Sequence, residues 1–193
     1  MAQRFGVSRT VLREATKRLE LQGLLEIRHG SGARAVDRLQ KPLNGSLSLL
    51  LPEISERLRQ LIVARAAIEP VVATLAAARA RSADVRRLQR LQLRLCAAAT
   101  HEESVDADIE FHRELARIAG NDILKLILES LADLSRESRR VTIGNVGKER
   151  AIQHHAAILR AVAAHDAGAA ERAMKHHMDE AALDLAPKAM AKK

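Results

Sequence analysis

From Glu53 to about Leu185 the apolar residues recur three and four positions apart. Leu88, Leu91 and Leu95 mark one such stripe, and Leu124, Ile127, Leu128 and Leu131 mark another. That period belongs to amphipathic helices. Punctuation divides the stretch into about six of them, over residues 53–80, 82–99, 104–119, 122–142, 147–165 and 167–185. Ser82 and Asp166 stand where N-caps are needed, Gly120-Asn121 is a stop and restart, and Gly144-Asn145-Val146-Gly147 reads as a loop. The joints are short, so neighbouring helices run antiparallel and pack as an all-α bundle.

Before Glu53 the pattern changes. Met1–Phe5 reads as the tail of a helix, ended by Gly6. Ser8 is a good N-cap for a helix running to about Leu21. Val11 or Leu12, Ala15 and Leu19 give that helix a stripe to bury, while Arg9, Arg13 and Lys17 recur every four residues on another face. Leu24–Arg28 and Ala33–Val36 then alternate at period two around His29-Gly30-Ser31-Gly32, which predicts a β-hairpin with Arg28 and Arg34 near its tip. A basic-striped helix after a short turn, followed by a basic hairpin, is the pattern of a winged helix-turn-helix that lays its second helix in a DNA groove. The fold class expected is therefore mainly α: an incomplete winged helix-turn-helix over 1–36, a linker over 37–52, the bundle over 53–185 and a tail over 186–193.

Charge sharpens this division. The net charge is +8, of which residues 1–41 carry +5 and residues 42–193 only +3. The basic excess lies on the segment that reads as DNA-binding. Tyr and Trp are absent and Phe occurs twice, so the core must be aliphatic and rich in alanine. The single cysteine, Cys96, sits in an apolar-periodic run and is expected to be a small core residue. One thiol cannot form an internal disulfide, which suits a reducing compartment. No secretory h-region and no run of ~18 apolar residues is evident. A cytoplasmic protein with no membrane partner is expected.

Candidate chemistry comes from the histidines. Asp108 and His112 are four apart and so share one helix face. Two adjacent pairs, His154-His155 and His176-His177, fall on the last two helices. His155 and His177 lie equally far from Asp166, so in an antiparallel pair they sit at one height, about 16 Å from the joint. His154 and His176 satisfy the same arithmetic. Helical phase separates the two pairs. His155 shares its face with Ile152, Ile158, Leu159 and Val162, and His177 with Ala170, Ala173, Met174 and Ala181, whereas His154 and His176 follow Arg150 and Arg172 by four. The inward set Asp108, His112, His155 and His177 makes a site for a divalent ion, with zinc first and nickel or manganese as alternatives of equal ligand chemistry.

Several runs carry a family resemblance. Phe5-Gly6-Val7-Ser8-Arg9-Thr10-Val11-Leu12-Arg13-Glu14-Ala15, then Arg18-Leu19-Glu20, Gly23-Leu24-Leu25 and Gly30-Ser31-Gly32 resemble the winged helix of GntR-type bacterial transcription regulators. The resemblance implies operator contacts by Arg9, Thr10 and Arg13, and close approach of the wing to DNA at Gly32. With the residues placed by pattern, the expected DNA-binding set is Ser8, Arg9, Thr10, Arg13, Lys17, Arg28, Gly32 and Arg34. The family's first helix and its Arg-bearing stretch have no counterpart before Met1. About 36 residues bury too little surface to fold alone. The segment therefore starts upstream, leans on the rest of the chain, or binds DNA poorly. Thr16 stands where the family usually has an apolar residue.

Residues 53–185 resemble the FadR-like C-terminal effector domain (FCD), on Arg65–Pro70, Asp108–His112, Gly120-Asn121, His155–Ile158 and Met174–Met178. The resemblance implies that Asp108, His112, His155 and His177 are metal ligands, that the effector is a small carboxylic acid, and that Arg65 clamps it. A residue-based alternative for Arg65 is an i,i+4 pair with Glu69, and Asn121 reads as a helix cap. The function expected is a ligand-responsive, homodimeric repressor that binds operator DNA and is not an enzyme. Two other readings are a metal-dependent hydrolase, for which Glu110 lies on the wrong face, and a DNA-incompetent metal-binding remnant.

Overall fold

The computed structural model describes residues 2–28, 32–36 and 53–185. The linker over 37–52, the tail from Ala186 and the wing tip His29–Ser31 lie outside the described residues. The chain divides into two compact units, Met1–Leu50 and Leu51–Lys193.

In the first unit a single 3-10 turn, Gln3–Phe5, stands where the tail of a helix was expected. Gly6 ends it in the left-handed region, at φ 64°. Helix α1 spans Arg9–Leu21, and the Ser8 hydroxyl accepts the Val11 N–H at 3.2 Å, as an N-cap should. Strands β1 (Leu25–Arg28) and β2 (Gly32–Ala35) pair antiparallel, with Glu26 opposite Arg34 and Arg28 opposite Gly32. The Glu20 carboxylate accepts the Ile27 N–H and ties α1 to the hairpin. The stripe expected to be buried is not. Val11, Ala15 and Leu19 are exposed and Leu12 is half-buried, because among the described residues of this unit α1 packs chiefly against β1.

The second unit is a bundle of seven helices: α2 (Ile54–Arg79), α3 (Ser82–Ala97), α4 (His101–Ala119), α5 (Asp122–Ser130), α6 (Ala132–Val146), α7 (Glu149–Ala163) and α8 (Ala167–Leu185). Helix α2 is the central rod and packs against α4, α6, α7 and α8. Ala73, Ala76, Ala77 and Ala170 are fully buried, and these small side chains let α2 and α8 lie close. By length and composition α2 could cross a membrane. Its buried face, however, packs within the bundle and carries the paired charges Arg65 and Glu69.

Several boundaries differ from the pattern-based reading, each for a physical reason. Thr100 and Glu103 form a capping box, so α4 starts at His101 rather than 104. Ser82 is the first residue of α3 rather than its cap, and the Asp84 carboxylate accepts the Arg81 N–H instead. The helix expected over 122–142 is two helices, broken at Leu131. There the Leu131 N–H turns to Leu128, three residues back, and the Ser130 hydroxyl donates to the Ile127 carbonyl at 2.7 Å. Gly144, Asn145 and Val146 continue α6 rather than forming a loop, because the Asn145 amide donates to the Asp184 carbonyl on α8. Gly147, at φ 83°, ends the helix. Cys96 is exposed, not core: Leu95 takes the buried position, and the next residue turns about 100° away.

The joint that sets the histidine arithmetic, expected as a turn over Asp166-Ala167-Gly168, lies slightly earlier, and Ala167 and Gly168 already belong to α8. The chain turns at Ala164–Asp166, and the Asp166 carboxylate caps α8 by accepting the Ala169 N–H at 2.8 Å. Asn121 likewise caps α5, accepting the N–H groups of Ile123 and Leu124.

Candidate metal centre

Four helices deliver the inward residues. Helix α4 brings Asp108 and His112, α7 brings His155, α8 brings His177, and α2 brings Arg65 and Glu69. All six are buried, and His155 is wholly so. One nitrogen from each of His112, His155 and His177 lies within 4.8 Å of the others. The Nε2 atoms of His112 and His177 face each other at 3.2 Å. Two ligands about 2.0–2.1 Å from a tetrahedral ion stand about 3.4 Å apart, so this spacing fits a shared ion.

The tautomers fit as well. His112 Nδ1 donates to Glu69 Oε2, and a carboxylate only accepts, so the lone pair of His112 is on Nε2, facing the triad. Glu69 is held in turn by Arg65, whose Nε donates to Oε1 at 2.6 Å. Neither ring nitrogen of His155 has a hydrogen-bond partner, although Nε2 lies 3.3 Å from Asp108 Oδ1. An orphaned, fully buried imidazole is costly unless something completes it. Phe111 fixes its plane by stacking on it, with ring centroids 4.1 Å apart and planes 7° from parallel.

Two of the three imidazoles are held away from protonation. Burial pushes His112 down to about 4, against the opposing pull of Glu69. Burial, then the neighbouring His112 and His155, hold His177 well below its ordinary value. Burial alone would raise the two carboxyls. Arg65 and His112 outweigh it at Glu69, and Arg139 and His155 outweigh it at Asp108, so both stay ionised.

Asp108 needs a qualification that the sequence did not reveal. Its Oδ2 accepts from Arg139 Nε, a buried ion pair, and only Oδ1 is left beside His155. The three histidines therefore form the shared nitrogen cluster, and Asp108 stands at its edge. Arg139 and the orienting role of Glu69 are the functional features that pattern reading missed. Arg65 pairs with Glu69, as its residue-based reading has it, and it lines a cleft together with Asp108, Arg139, His154 and His177. Glu110 is turned outward and paired with Arg94 at 2.6 Å.

In the first unit the expected DNA-facing residues Ser8, Arg9, Thr10, Arg13, Lys17, Arg28, Gly32 and Arg34 are all exposed. Lys17 pairs with Glu14 and Arg28 with Glu26, both at the surface. Gly32 has φ 85°, a conformation L side chains rarely take, and nothing lies within 4 Å of where a Cβ would be.

A basic helix and hairpin in the same chain as an all-α bundle define a class, the bacterial one-chain transcription regulators. Comparison with known proteins narrows it. Residues 60–180 match the FCD domain, and residues 1–34 match the bacterial regulatory proteins of the gntR family. The HTH-type transcriptional regulator LutR of Bacillus subtilis (strain 168) is 32% identical over 92% of this chain and 84% of its own length. The Uxu operon regulator of Haemophilus influenzae is 30% identical over 96% of this chain and 71% of its own. The solved structure of a Streptococcus agalactiae GntR protein overlays with a TM-score of 0.73 at 24% identity, covering 94% of this chain and 85% of that one. The chain belongs to the GntR family, in the FadR-like branch that carries an FCD domain. It is a transcription regulator and not an enzyme, and the hydrolase reading falls with that membership. Regulators of this family bind operator DNA and commonly dimerise.

Proposed function

We propose that this regulator is a cytoplasmic, homodimeric repressor whose FCD domain binds one divalent metal ion and a small carboxylic acid, and that the acid modulates operator binding by the winged segment. The observation that carries the reading is the histidine triad. Three buried imidazoles from three helices meet within 4.8 Å, and the Glu69 carboxylate aims one of them. His112, His155 and His177 would hold the ion, with Asp108 Oδ1 beside them; zinc, nickel and manganese all suit nitrogen and carboxylate ligands. When bound, the ion supplies a Lewis-acid anchor for carboxylate oxygen.

The protein's own residues set the rest. Arg65 and Arg139 place two guanidinium groups on the cleft wall, where a carboxylate can accept from them. Thr142 and His154 add polar contacts on the same wall. Arg9, Thr10, Arg13 and Lys17 on α1, with Arg28, Gly32 and Arg34 on the wing, face the operator. A dimer places two recognition helices on two half-sites. The acid acts by favouring the arrangement of the dimer that does not fit DNA, a shift between two populations.

Three measurements on one preparation test this. Elemental analysis should find one metal per chain. A thermal-shift screen of small carboxylic acids should give stabilisation that a chelator removes, because a ligand of the folded state raises stability by mass action. The same acid should release a promoter fragment in a gel-shift assay. A stabilising acid that works equally well on metal-stripped protein refutes the metal-anchored site.

A further inference from the structure

The second histidine pair is not part of the triad, yet it is aligned with it. His176 is exposed on α8, and its ring stacks on half-buried His154 of α7, with centroids 4.9 Å apart and planes 24° from parallel. His154 in turn lies 5.4 Å from His177, and His177 lies 5.2 Å from both His112 and His155. Imidazoles therefore run without a gap from solvent to the buried centre. Two imidazoles sharing one ion at ordinary metal–nitrogen distances have centroids about 5 Å apart, so an ion released by one ring of this run is within reach of the next after a ring rotation.

We propose that His176 and His154 are the route by which the divalent ion reaches and leaves the triad, an inference that rests on the metal-binding reading above. Three further observations support it. His154 Nδ1 is buried without a hydrogen-bond partner, a ring nitrogen left uncommitted partway along the path. His154 and His177 both line the same cleft, so the two rings border one space. Glu180 lines the same cleft one helical turn after His176, and its charge favours a cation there, although Arg150 pairs with it at 3.2 Å.

The chemistry is ligand exchange alone. At each step a bond from the next nitrogen forms as the bond from the previous one breaks, and no electron or proton need change hands. The ion thus never stands bare in a water-poor interior, where an uncompensated charge is most costly. His176 and His154 act on rate and not on the final occupancy.

Metal-stripped full-length protein, mixed with Co²⁺ and followed by its visible absorption, reads the uptake rate. Excess chelator added to the loaded protein reads release. His176→Ala and His154→Ala should each slow uptake and release together by about tenfold, with the same final occupancy, since one barrier governs both directions. His101→Ala, an exposed histidine elsewhere on the bundle, should leave both rates unchanged. Wild-type rates, or faster ones, in both variants overturn the route. Loss of final occupancy in His154→Ala makes that residue a ligand and overturns it too. If wild-type protein takes up no Co²⁺, Zn²⁺ or Ni²⁺, the metal reading itself fails, and the route with it.

Discussion

Glu69→Gln separates two jobs that one carboxylate performs. Its Oε1 neutralises Arg65 at 2.6 Å, its Oε2 holds His112 Nδ1, and the side chains of Glu69 and Arg65 are only 4% and 3% exposed. Glutamine keeps the shape and an acceptor oxygen but removes the charge. The first consequence is a buried guanidinium without its counter-charge, and breaking such a pair costs about 3–5 kcal/mol. This loss should appear in denaturant melts of metal-stripped protein. The second consequence concerns the ion. Losing the carboxylate that orients and polarises a ligating histidine typically weakens metal binding about 10–100-fold, or about 1.4–2.7 kcal/mol. A chelator competition titration reads that number independently of folding. The two effects come apart in the double variant Arg65→Met with Glu69→Gln. It should recover most of the metal-free stability, because no charge is stranded, while its metal affinity stays low. If Glu69→Gln binds metal as tightly as the wild type, His112 is not aimed by Glu69, and the tautomer argument fails.

Other expectations are simpler to check. His155→Ala and His177→Ala should each lose the metal by elemental analysis, whereas His154→Ala and His176→Ala should retain it at equilibrium; the reverse pattern sinks the phase argument. Metal-stripped protein should lose stability as pH falls from about 6.5 to about 4. In that window the unfolded chain binds a proton at His112 that the folded chain, with its value pushed down to about 4, does not. The loss reaches up to about 3 kcal/mol at the low end, and His177 acts in the same direction. A flat melting temperature between pH 7 and 5 contradicts the neutral-imidazole picture. Arg9→Ala and Arg13→Ala should weaken operator binding by about 1–3 kcal/mol each where they contact bases and leave metal content untouched, as gel shifts and elemental analysis on the same samples would show.

Much of this was readable along the chain because it depends on local period. The phase of His155 against Ile158 and Val162, and of His177 against Met174, follows from helix geometry once Asp166 is taken as the joint. Thr100 and Glu103 carried a legible cap signal that pattern reading passed over. The break at Leu131 carried none, since no glycine or proline marks it and a serine hydroxyl competing for a carbonyl makes it. Gly144-Asn145 looked like a loop because its helical state depends on a hydrogen bond to α8, far away in sequence. Arg139 had a faint signal, a cation four residues before Ile143 on an inward face. Its partner Asp108 lies 31 residues earlier, and no period connects them. The apolar stripe of α1 fitted the winged-helix pattern, but pattern says nothing of what covers a stripe.

The pairing of Arg65 with Glu69 and of Arg139 with Asp108 has a further consequence. Two buried positive and two buried negative groups cancel. On the proposed reading, loading the centre adds two positive charges to a frame that was already balanced. An organic anion offsets that charge in whole or in part, and a neutral analogue of the same shape does not. By linkage the acid must then tighten the metal by the factor by which the metal tightens the acid. On that reading the site works as a coincidence detector, answering to the acid only while the cell also keeps the metal in supply.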